Sequence, residues 1–75
     1  MEYTSEQREK FITLYNEVFD SSGKTKLCGR EKCKELIIAA QIIDKETNFG
    51  SWINGMMHIE NLKELYTELT NTNNS

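Results

Sequence analysis

Chemistry-bearing residues are scarce in this chain. It holds two cysteines, one histidine and one tryptophan among 75 residues. A structural zinc site wants four nitrogen or sulfur ligands, commonly in close pairs. Cys28, Cys33 and His58 supply three, from separated segments, so no metal or cofactor is expected. The C-x4-C pair is no better suited to a disulfide, because residues five apart on one helix point in different directions. Cys33 reads as a small core residue and Cys28 as a half-buried one.

Long hydrophobic runs are also missing. The longest, "LIIAA" at 36–40, is far short of the roughly 18 residues a membrane span requires. The opening "MEYTSEQREK" is polar and unlike a signal peptide. With unpatterned cysteines, these features predict a cytoplasmic protein in a reducing compartment. Basic excess is absent too: twelve Asp and Glu face nine Lys and Arg, for a net charge of -3. A general nucleic-acid binder normally shows the opposite balance.

What is present is helical periodicity. Thr4 and Gln7 have capping-box spacing, and Phe11, Leu14, Tyr15, Val18 and Phe19 follow at three- and four-residue steps. "DSSG" at 20–23 ends that segment with residues that compete for backbone hydrogen bonds. A second helix is predicted over 29–44, with Cys33, Leu36, Ile37, Ala40 and Ile43 in one apolar stripe. Ile38, Ala39 and Ile42 extend the apolar surface onto a neighbouring face. A helix apolar over more than half its circumference must be covered on two sides. It is therefore either the central element of the fold or a surface awaiting another molecule. A third helix is predicted over 56–70, with Met56, Ile59, Leu62, Leu65, Tyr66 and Leu69 inward and Glu60, Glu64 and Glu68 outward.

The fold class that follows is all-α: a three-helix domain over 1–70, with helices at about 4–20, 29–44 and 56–70. An irregular Gly- and Trp-containing connection is expected at 45–55, and a disordered polar tail at 71–75. Seventy-five residues bury a marginal core, and such domains gain from a disulfide, a metal or a partner chain. With the first two unsupported, a partner is the natural source.

The stretch "FDSSGKTKLCGREKC" at 19–33 carries both cysteines and invites other readings. A calcium loop counted from Asp20 ends on Glu31, but its ligand positions hold Ser22, Lys24, Lys26 and Cys28, and Thr25 sits where glycine is needed. The Walker glycine spacing is absent, with no strand before it. What remains is a helix start ringed by Lys24, Lys26, Arg30, Lys32 and Lys34, able to bind an anion. The plainer reading is a solvated loop that balances two acidic ends. In "NFGSWINGMM", Phe49, Trp52, Ile53, Met56 and Met57 crowd nine positions. A chain this short needs its one Trp inside, while Phe49 and Met57 are free to serve a contact.

No group looks desolvated or coupled enough for acid–base work, so an enzyme is not expected. The function predicted is a non-enzymatic interaction protein that self-associates as a homodimer, or docks on a partner protein and modulates or inhibits it. Small acidic proteins of this type are common in phages and plasmids. Its contact residues would be Ile38, Ala39 and Ile42, with Phe49 and Met57, and the Glu60, Glu64, Glu68 row facing a basic partner. The alternative is a dimeric helix-turn-helix-like regulator that meets nucleic-acid phosphates through 24–34. Against it, the third helix has Lys63 as its one basic residue, and recognition helices seldom carry rows of glutamate.

Overall fold

The computed structural model describes residues 2–26, 29–51 and 56–71. Three helices and one short hairpin follow in the order α1 (Ser5–Val18), α2 (Gly29–Ile43), β1 (Gly50–Ser51), β2 (Met56–Met57) and α3 (Ile59–Thr70). The chain is thus mostly helical, but the connection predicted to be irregular contains an antiparallel pair, Gly50 opposite Met57 and Ser51 opposite Met56. Met56 and Met57 leave the predicted third helix for this hairpin, which delays the start of α3 to Ile59. Two-residue strands are too short to show alternation in a sequence, and that is why the hairpin was not foreseen.

Helix α1 opens as its sequence predicts. The Thr4 hydroxyl accepts the Gln7 amide at 3.1 Å, and the Gln7 side chain accepts the Thr4 amide at 2.9 Å. Two amides that the first turn cannot pair internally are so satisfied. Thr4→Ala is expected to cost about 1 kcal/mol, lowering the thermal midpoint by about 4–8 °C. A calorimetric shift below 1 °C would show the cap to be idle.

The helix stops at Phe19, whose backbone is extended and bridges to Thr25. Between them the chain closes on Asp20. One carboxylate oxygen accepts the Ser22 hydroxyl at 2.6 Å, the Ser22 amide at 2.9 Å and the Lys24 amide at 3.1 Å. The Ser22 hydroxyl, then the Lys24 amide, hold the Asp20 carboxyl below its ordinary range. The acid that heads the would-be calcium loop is therefore the hub of a tight turn.

Packing places α1, not α2, in close contact with both other helices. Phe11, Val18, Phe19, Leu36, Phe49, Leu62 and Leu69 are the largest fully buried side chains, drawn from all three helices and the segment before β1. Each buries a side chain worth roughly 1.5–3 kcal/mol against exposure. An aromatic column joins α1 to α3: Tyr15 stacks on Tyr66 with ring centres 4.0 Å apart and planes at 13°. Phe19 meets the Tyr15 ring at 4.6 Å. Burial, then the neighbouring Tyr66 phenol, pushes the Tyr15 hydroxyl up from its ordinary value. At the far end the Arg8 guanidinium donates to the Leu69 carbonyl at 3.1 Å. A cation there also suits the negative end of the α3 dipole.

Because α1 takes the middle position, α2 is covered on one side by α1 and near its end by β1. The sequence left two outcomes for its second apolar face. In the structure Ile38 and Ile42 of that face are exposed, while Ala39 is buried.

Candidate interaction surface

The outward face of α2 is set by its helical pitch. Leu36, Ile37, Ala39, Ala40 and Ile43 turn into the core, leaving Ile38 and Ile42 one turn apart on the opposite side. These two are 43% and 45% exposed, large values for isoleucines in a helix. Scattered exposed apolar residues are ordinary on any protein. Two stacked on one stripe, each with nearly half its surface in water, form a ridge. Exposed Glu31 and Glu35 precede the ridge on the same stripe, and exposed Lys45 follows it just beyond the helix end. The order is thus acid, acid, isoleucine, isoleucine on the helix, then a base in the turn beside Ile42.

Ala39 and Phe49 were expected at a contact and are instead interior, at 5% and 0% exposure. For Ala39 the reason is angular: it lies about 100° around the helix from Ile38, toward the core. Phe49 is drawn inward because the hairpin begins directly after it. Its carbonyl accepts the His58 amide at 3.1 Å, and the Asn48 carbonyl beside it accepts the Asn61 side chain at 2.8 Å. Met57 is half-buried against the core. Met56 and Ile59, predicted to face inward on α3, are exposed at 63% and 37%. They line a shallow recess with His58 and Asn61, a second apolar spot that the sequence reading missed. A helical period carried through 56–58 put both on the wrong side. Trp52, Ile53 and Cys28 lie outside the described residues.

The chain reverses after α2 through Asp44, whose carboxylate accepts the Thr47 hydroxyl at 2.8 Å and the amides of Glu46 and Thr47. The Thr47 hydroxyl is the main cause of a carboxyl held below its ordinary range. Beside this turn a cavity of about 450 Å³ opens between Glu2 and Glu68 on one side and Ile42, Asp44, Lys45 and Glu46 on the other. Four carboxylates and one ammonium line it, so it offers a negative field next to the Ile42 end of the ridge. The Gln41 side chain donates to the Thr47 carbonyl at 2.8 Å and fixes the turn against α2.

The basic segment is dispersed rather than gathered. Lys26 donates to the Asn16 carbonyl at 2.8 Å, and Lys32 pairs with Glu17 at 3.1 Å, so both reach back to α1. Lys24 and Arg30 are exposed, and Lys34 is half-buried. Glu60, Glu64 and Glu68 stand exposed along α3, as their spacing predicts. Among the described residues no cluster of three His, Cys, Asp or Glu is placed to hold a metal ion. No helix among them is long and apolar enough to cross a membrane.

No family model, curated protein or solved structure matches this chain. The surface is therefore interpreted on its own geometry.

Proposed function

We propose that this protein is a small non-enzymatic interaction protein, working by self-association or by docking on a partner protein that it modulates. The observation that supports this most is the Ile38–Ile42 ridge. It is an apolar stripe on a regular helix, flanked by charges of defined sign, that no other part of the described chain covers. Apolar centres with charged margins are the usual anatomy of a protein contact. The size of the chain favours the same reading, since a small core gains stability from whatever binds its folded form.

The test is photo-crosslinking in cells that make the protein. A benzophenone side chain at position 38 is expected to give a discrete covalent adduct with protein, and one at exposed Thr13 on α1 none. Ile42→Glu should abolish the adduct from position 38. The double variant Ile38→Glu/Ile42→Glu is expected to stay folded, with helicity unchanged and its thermal midpoint within about 5 °C, because both side chains already meet water. No adduct from position 38, or unfolding of the double variant, would overturn the reading.

A further inference from the structure

The charge order along the outer stripe of α2 specifies what kind of surface would fit it, and the fit is to itself. Resting on the interaction reading above, we infer that the occupant of the ridge is a second copy of this chain, with the two α2 helices packed antiparallel about a twofold axis level with Ala40. In that arrangement residue i of one chain lies opposite residue 80 − i of the other. Ile38 then meets the partner's Ile42, and Ile42 the partner's Ile38, so four isoleucines close one seam. Glu35 comes to the Ile42 end of the partner helix, within reach of Lys45 of the partner subunit in the turn that follows, and the symmetry repeats the pair at the other end.

The parallel alternative fails on the same residues. It would set Glu35 against Glu35 and Lys45 against Lys45, placing like charges at both margins of the seam. Antiparallel packing turns each of these repulsions into an attraction. It also opposes the two helix dipoles.

The seam is short. Fifteen helical residues span about 22 Å, and one helix pair of that length covers less than the roughly 800 Å² per partner of a standard stable interface. A weak, reversible dimer follows, weaker still in high salt.

Sedimentation equilibrium of the full chain over a hundredfold concentration range, in low and in high salt, tests this. The wild-type protein should dimerise. Glu35→Lys and Lys45→Glu should each weaken the dimer about tenfold, since each places two like-charged pairs across the seam. The combined swap Glu35→Lys/Lys45→Glu should restore it to within about twofold of wild type. Both sites are exposed, so circular dichroism should show unchanged helix content. A wild-type chain that stays monomeric throughout, or a double swap no tighter than the singles, overturns the antiparallel self-pairing. Either result leaves the ridge as a contact for a different protein, which the crosslink from position 38 reports separately. A dimer that survives Ile38→Glu/Ile42→Glu overturns the self-pairing of the ridge as well, because its seam then lies elsewhere.

Discussion

Phe49→Ala is expected to lower the thermal midpoint by about 12–40 °C. The phenyl ring is wholly buried among residues of the helical core. Removing a buried phenylalanine side chain costs about 3–5 kcal/mol, from lost transfer energy and the cavity left behind. A chain of this length has roughly 4–11 kcal/mol of total stability, so one substitution takes a large share. Each kcal/mol moves the midpoint of so small a domain by about 4–8 °C. The substitution keeps the Phe49 carbonyl that accepts the His58 amide, but removes the buried ring that anchors this stretch of backbone against the core. Differential scanning calorimetry with circular dichroism reads the effect. A midpoint within 3 °C of wild type would place Phe49 where the sequence alone had put it, on a surface contact.

That contrast marks the limit of what the sequence made legible. Helix α1 was readable almost residue by residue, since Thr4, Gln7 and the Phe11-to-Phe19 period are local signals. The body of α2 and the inner face of α3 from Leu62 onward were equally plain. The path between them was not. Phe49, Met56, Met57 and Ile59 are all large and apolar, and in a stretch without period nothing local says which side each takes. Their sides are decided by a two-residue hairpin, whose pairing partners are set by tertiary packing rather than propensity. The order of the layers was likewise hidden. An α2 apolar on two faces suggested a central helix, but the aromatic column from Phe11 to Phe19 gives α1 that place, and Tyr66 of α3 stacks on it. The outer face of α2 was legible in part: Ile38 and Ile42 stood out as apolar excess. Glu35 and Lys45 did not, because a single exposed charge has no meaning until the helix face it shares is known.

Gly50→Ala should cost about 2 kcal/mol more than the same change at Gly29, and the difference between the two separates conformation from contact. Both glycines hold positive φ, +108° at Gly50 and +79° at Gly29. An L-residue in that region carries a penalty of about 1–3 kcal/mol, and it applies at either site. At Gly29 nothing lies within 4 Å of an added Cβ, so the conformational penalty stands alone. At Gly50 the same atom would collide with the Met56 carbonyl oxygen and approach Met57 Cα to 2.8 Å and the His58 amide nitrogen to 3.0 Å. These neighbours are backbone of the opposing strand, and they cannot rotate aside. Relief requires the pair Gly50–Met57 to separate, and with it the His58 amide from Phe49. Urea titration of both variants measures the gap. Hydrogen exchange should locate it, with the His58 amide losing protection in Gly50→Ala and keeping it in Gly29→Ala. Equal losses of stability in the two variants would mean that β1 and β2 do not approach as closely as described, and that the glycine serves only the turn of the chain.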